Sequence, residues 1–322
     1  MDINIVKLDE YDKKLLYELD KDAHISISKL AKKLRRSKQF VEYRIKRLEN
    51  NKVVLGYHAI IDASKLGFFT YRAYFKFQQT TTKDEEEFVE FLKKYENIWT
   101  IVRMHGKWDY AFFLGVKTIR EFHNIWDEII LKYKRNIKTH NVAVYAPIIN
   151  FNRTFFTDKK VEIIERIYGD GEKVKFDQKD FEIIKLYAVN VRTPLVEIAK
   201  KLNLSLNTIR YRIKELEKKK IICGYKLDIN LEVLGYTGYR VDIHLISTEK
   251  NKELYQFCEY NKNIYQIIKS IGGADFEISV VVKDLYELLK LMNETKEQFK
   301  DVINDYEYFG FSVFQKLSFV PD

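Results

Sequence analysis

Three prolines, 12 glycines and two cysteines are all that 322 residues contain of these types, and each scarcity excludes something. So few chain breakers leave no room for long disordered tracts. Cys223 and Cys258 show no CxxC spacing and no neighbouring histidine cluster, which argues against a disulfide framework and against a zinc site. No apolar run approaches the roughly 18 residues that a membrane span needs. The polar, acidic start MDINIVKLDE lacks the layout of a secretion signal, so a cytoplasmic location is expected. GxxxxGK[ST], GxSxG and HExxH are all absent, which sets conventional hydrolases and kinases aside. We therefore expect no catalytic residue, no cofactor, no metal and no membrane partner.

What is present is aromatic, apolar and cationic. An apolar fraction of 46% with 22 Phe and 22 Tyr supplies ample core, and the formal net charge of +9 favours a polyanionic partner, because cations that neutralise phosphates release counterions. Charge alone is a weak argument, since abundant Lys with abundant Glu also describes a solvated surface laced with ion pairs.

The stronger signal is a repeat. Residues 8–72 and 176–240 match without a gap, Asp12 with Asp180, Ala31 with Ala199, Tyr43 with Tyr211, Gly56 with Gly224 and Gly67 with Gly235, each pair 168 apart. Each copy opens with a helix, near Tyr11 to Leu19 in the first. A second short helix follows, Ser28 to Leu34 and Leu195 to Leu202, where Pro194 suits a first turn that needs no amide hydrogen. Ser37 and Ser205 then read as N-caps of a third helix. Its buried face is predicted as Val41, Ile45 and Leu48, and Ile209, Ile213 and Leu216. The opposite face carries Lys38, Gln39, Glu42, Tyr43 and Lys46, or Leu206, Asn207, Arg210, Tyr211 and Lys214. A short helix, a tight turn and a second helix that enters the major groove form a helix-turn-helix. The apolar stretches beginning at Val53 and Ile221 read as wing strands.

The words YRIKRLENNKVVLGY with IIDASKLG, and YRIKELEKKKIICGY with LDINLEVLG, resemble the leucine-responsive (Lrp/AsnC, or feast/famine) family of transcriptional regulators. The first copy departs at the turn, where Arg35 and Arg36 stand in place of a turn-favouring residue such as Asn203. After each winged segment the order strand, helix, strand, strand, helix, strand predicts a ferredoxin-like sandwich. Capping-box spacing is read at Thr82 with Glu85 and at Thr118 with Glu121. The expected fold is thus α+β: winged helix-turn-helix domains at 1–62 and 176–230, ferredoxin-like domains at 63–148 and 231–322, and a linker at 149–175. Within that linker Lys159 to Ile167 is predicted to form a helix.

Double-stranded DNA is the expected partner. Lys38, Gln39, Tyr43, Lys46, Asn207, Arg210, Tyr211 and Lys214 are candidates for bases and nearby phosphates, with Arg44, Arg47 and Arg212 for backbone anchoring. One chain holds both halves of what would otherwise be a dimer, so an internal pseudo-twofold is expected, alone or within a larger homo-oligomer. Unlike residues on the two third helices predict unlike half-sites. The resemblance also implies a small effector such as an amino acid near the shared interface. The loops with Gly106 and Asp109, and with Gly272 and Asp275, are its candidate site; against this, the two loops differ and read equally as plain hairpin turns. A rival is enzymatic. The related sirohaem decarboxylases bind a tetrapyrrole on the same pair of folds, and His105, matched by Ile271 in the second copy, is the one residue to which that reading attaches here.

Overall fold

The computed structural model describes residues 5–157, 161–318 and 320. The first helix-turn-helix unit comprises α1 (Glu10–Lys21), α2 (Ile27–Leu34), α3 (Lys38–Asn50) and strand β1 (Val54–Ile61). Next come β2 (Phe69–Phe77), α4 (Thr82–Lys93), β3 (Ile98–Gly106), β4 (Tyr110–Val116), α5 (Ile119–Tyr133) and β5 (Ile137–Phe151). A short strand, β6 (Glu165–Tyr168), leads to the second helix-turn-helix unit: α6 (Gln178–Tyr187), α7 (Leu195–Leu202), α8 (Leu206–Lys218) and β7 (Ile222–Ile229). The chain closes with β8 (Thr237–Leu245), α9 (Asn251–Tyr260), β9 (Ile264–Ile271), β10 (Phe276–Val282), α10 (Leu285–Gln298) and β11 (Ile303–Leu317). The α+β class and the twofold βαββαβ order are as the sequence predicts.

The two ferredoxin-like units do more than face one another. Their strands run β2-β4-β3-β11-β8-β10-β9-β5, and β5 pairs back onto β2, which closes an eight-stranded barrel with β6 added beside β5. The long last strand of each copy makes the closure. β5 pairs with β2 from Ile137 to Val144 and then with β9 from Val144 to Asn150. β11 pairs with β8 from Ile303 to Gly310, and with β3 from Phe309 to Leu317. Helices α4 and α5 cover one half of the outer face around Phe88, Ile125 and Ile129, and α9 and α10 cover the other around Leu254, Leu288 and Met292.

Several expectations need correction. The strand expected over Thr139 to Ala146 runs on to Phe151, because Pro147 sits at a register shift between Tyr145 and Ile148, where a missing amide hydrogen is tolerated. The helix expected from Lys159 to Ile167 is not formed: Lys159 and Lys160 lie outside the described residues, 161–164 have no regular structure, and Glu165–Tyr168 is a strand. A β-branched run beside the open side of β5 finds ladder partners there, and Arg166 turns inward. The first capping box falls one residue earlier than read, on Thr81 with Asp84. The wing strands form no hairpin of their own; β1 pairs with β7 of the other copy, Tyr57 opposite Leu227 and His58 opposite Lys226.

Candidate nucleic-acid interface

Each reader is built by the same local rules. Asp9 caps α1 by accepting from the amides of Tyr11 and Asp12, while Asp12 accepts from the amide of Asp9; Asp177 and Asp180 repeat this on α6. The second helix ends in a left-handed residue, Arg35 at φ 52° and Asn203 at φ 53°. Both turns thus share one geometry, although an arginine adopts it at greater cost than an asparagine. Ser37 accepts from the Phe40 amide and Ser205 from the Thr208 amide, so each third helix starts on a capped turn.

Val41, Ile45 and Leu48, and Ile209, Ile213 and Leu216, are buried as their spacing predicts. At about 1.5–3 kcal/mol for each such side chain, this burial decides the fate of a 13-residue helix that would be marginal by itself in water. The opposite face is left to solvent. Lys38, Gln39, Glu42, Lys46, Asn207, Arg210 and Lys214 are exposed, and Tyr43 and Tyr211 are 66% and 65% exposed. Among the described residues, Lys38, Lys46, Arg210 and Lys214 have no ion-pair partner. The same position of the duplicated helix thus holds a large aromatic ring in water in both copies, flanked by cations that have no ion-pair partner among the described residues.

Three expected anchors serve elsewhere. Arg44 binds Asp9 and Asp12, and Arg47 binds Asp12. Arg212 donates to both Asp177 oxygens at 2.8 Å and to Asp180 at 2.7 Å. Asp177 is held below the usual carboxylate range by the Asp180 amide and then by Arg212; in Asp9, hydrogen bonds and Arg44 together overcome the opposing effect of burial. These arginines clamp the third helix to the first. They fix the orientation of the exposed face of the third helix.

The effector candidates are likewise occupied. Asp109 accepts from Lys76 Nζ and the Phe77 amide, each at 2.7 Å, and the Gly106 carbonyl accepts from Lys76 Nζ. Asp275 accepts from the Leu245 amide, and the Gly272 carbonyl from Asn141. A Cβ at Gly272 would stand 2.7 Å from the Val142 carbonyl oxygen. The hairpin-turn reading accounts for all four residues. His105 is exposed at the end of β3. Among the described residues no group of three or more His, Cys, Asp or Glu is placed to hold a metal, and no helix is long and apolar enough to cross a membrane.

The two readers are locked together. The Arg192 guanidinium lies over the Tyr57 ring at 4.4 Å and donates to the carbonyls of Ala23 and Ile25. The Ala59 amide donates to the Ala188 carbonyl, and the Val191 amide to the Tyr57 carbonyl. Leu15, Leu19, Ile184 and Tyr187 share one continuous core with both third helices, so the relative pose of the reading faces is set by packing.

Residues 8–54 and 176–222 each match the winged helix-turn-helix DNA-binding family. A regulator from Pyrococcus horikoshii, the HTH-type transcriptional regulator LrpA, is 46% identical over 108 residues, 33% of this chain and 74% of that protein. The chain belongs to the Lrp/AsnC family. Another relative, the HTH-type transcriptional regulator Ptr1 from Methanocaldococcus jannaschii, is 28% identical over 118 residues, 37% of this chain and 80% of that protein. The four-domain arrangement also resembles the siroheme decarboxylase NirDL, with a TM-score of 0.64 over 97% of this chain and 94% of that one. At 15% identity this likeness concerns the fold alone.

A polar cluster inside the barrel escaped the sequence reading. Arg72 Nη1 donates to Glu277 at 2.5 Å, with Arg240 Nη1 at 3.8 Å from the same oxygen. The signal was visible: Tyr71-Arg72 and Tyr239-Arg240 place the same charge at the same point of an otherwise apolar strand in both copies.

Proposed function

We propose that this chain is a sequence-specific DNA-binding transcriptional regulator that carries both readers of the usual Lrp/AsnC dimer in one polypeptide. The observation that supports it best is the pair of solvated reading faces on α3 and α8, with Tyr43 and Tyr211 at their centres and Lys38, Lys46, Arg210 and Lys214 unpaired among the described residues. Lys38, Gln39 and Glu42 face the groove in one copy where Leu206, Asn207 and Arg210 do so in the other, so the operator has unlike half-sites. Phosphate anchoring falls to exposed lysines and not to Arg44, Arg47 and Arg212, each of which is held by a carboxylate of the first helix or its cap. Relatives named as transcriptional regulators support the same reading.

Selection from random duplexes followed by footprinting tests this. A bipartite, asymmetric motif is expected, with an affinity whose logarithm falls by about 0.9 per phosphate contact against log salt. Arg210→Ala should weaken the selected site by about 1–3 kcal/mol and random DNA far less. No enrichment together with salt-insensitive binding would sink the proposal, and a perfect palindrome would sink the unlike half-sites.

A further inference from the structure

We infer that a chamber between the barrel interior and the β1–β7 ribbon binds a small organic acid with a flat apolar body, its anionic group answering the Lys226 ammonium. The cavity measures about 350 Å³, within the range of small-molecule sites. Its walls are aromatic and aliphatic, with Tyr74, Phe113, Tyr145 and Phe311 presenting ring surface. At its roof Lys226 stands opposite His58 in the ribbon, where the two copies meet.

Charge selects the ligand class. Among the described residues Lys226 has no hydrogen bond and no ion pair. Asp228 and Asp20 attract it from a distance without bonding it; Asp228 lies 3.5 Å from His58 Nε2, and Asp20 takes Arg153 at 2.7 Å. Arg153 and Arg166 add repulsion, while burial, the largest influence, brings the Lys226 ammonium down to about 8. An incoming carboxylate supplies the missing partner. Deeper in, Arg240 is 8% exposed, yet its Nη1 donates no hydrogen bond among the described residues, and neither does the buried Tyr145 hydroxyl. The carboxylate nearest Arg240, Glu277, is taken by Arg72. Asp242, inward on the same strand as Arg240, is pushed up to about 6 by burial and by Glu277.

The divergence of the two copies creates both the space and the imbalance. Arg72 and Arg240 occupy equivalent positions, but Arg72 alone of the two is hydrogen-bonded to Glu277, with Arg240 Nη1 3.8 Å away; the counterpart of Glu277 under the 166-residue offset of the later strands is Ala111. Ala111 lines the chamber. An alanine where the other copy has a glutamate thus leaves space in the same chamber that Arg240, with its Nη1 lacking a hydrogen bond among the described residues, also lines. A preformed apolar chamber with a few converging donors is the arrangement expected of a ligand site. The roof strands also carry the readers, so occupancy shifts DNA affinity; that corollary rests on the DNA reading, whereas occupancy itself does not.

Calorimetry on the full chain near pH 8, close to where Lys226 titrates, tests it with four probes: indoleacetate, naphthylacetate, hydroxybenzoate and anilinonaphthalene sulfonate. At least one should bind saturably, once per chain. For a carboxylate that binds, the matching neutral amide should bind roughly tenfold or more weakly. Titrations in buffers of different ionisation heat should show proton uptake, since a partnered ammonium holds its proton more firmly. Lys226→Met should abolish that uptake and the preference for the acid. Ala111→Trp should abolish binding altogether by filling the cavity, with melting curves confirming that both variants fold. No saturable binding of any probe, equal binding of acid and amide, or unchanged binding by Lys226→Met would overturn the proposal. Failure to select DNA would leave the chamber result standing and count against the regulator reading alone.

Discussion

Replacing Asp242 by Asn should stabilise the protein by an amount that grows with pH. Asp242 is 7% exposed and stands directly opposite Glu277 on β10 and Glu307 on β11, so two carboxylates are its cross-strand neighbours. Burial, and then Glu277, raise it from 3.8 to about 6. Because the folded value lies above the unfolded one, the ionised carboxylate destabilises the fold. The penalty sets in as pH rises past the unfolded value and is complete once pH has passed the folded one. A rise of that size corresponds to about 3 kcal/mol at pH 8, falling to about 0.5 kcal/mol near pH 4. Asn mimics the protonated form and escapes the penalty, while titrating groups not coupled to Asp242 cancel in the difference between variant and parent. Urea denaturation of both proteins across that range measures it directly. A difference that stays flat with pH, or an Asn variant that is less stable throughout, would refute the reasoning and make Asp242 a favourable counter-ion of Arg240.

Arg35→Gly should gain about 1 kcal/mol, because Arg35 holds a left-handed conformation that glycine adopts freely; a thermal melt reads this out, and Asn203→Arg should lose stability at the matching turn. Glu277→Gln should cost about 3–5 kcal/mol in urea denaturation by leaving two buried arginines without their carboxylate. Arg212→Met should loosen α8 from α6 and weaken selected and random DNA alike, with the salt slope unchanged; a slope lower by about one contact would make Arg212 a phosphate anchor after all.

The readers were legible because their rules are local. Ser37, Ser205 and the spacing of Val41, Ile45 and Leu48 act within a few residues of where they stand. The duplication then let each copy check the other. What escaped was set by partners far away in sequence. Nothing near Arg44 indicates that Asp9 and Asp12 will hold it, and a cation on a third helix reads as a phosphate anchor until the first helix is in place. Glu165–Tyr168 looks helical alone and becomes a strand because β5 offers it a ladder. The chamber was invisible for a related reason. It exists only where Ala111, Lys226 and Arg240, on different strands of different copies, converge.

The strand exchange that closes the barrel also sets a timetable for synthesis. Thr100 on β3 waits for Leu317 on β11. At roughly 5–20 residues per second, a ribosome takes about 10–40 s to make the intervening stretch. Through that interval the first copy is a half-barrel whose open strand edge invites pairing with whatever strand is near, including the same edge on the next nascent chain of a polysome. The protein thus passes a hazardous stage before its last strand arrives, and chaperone occupancy on the nascent chain should peak between the completion of β5 and the emergence of β11.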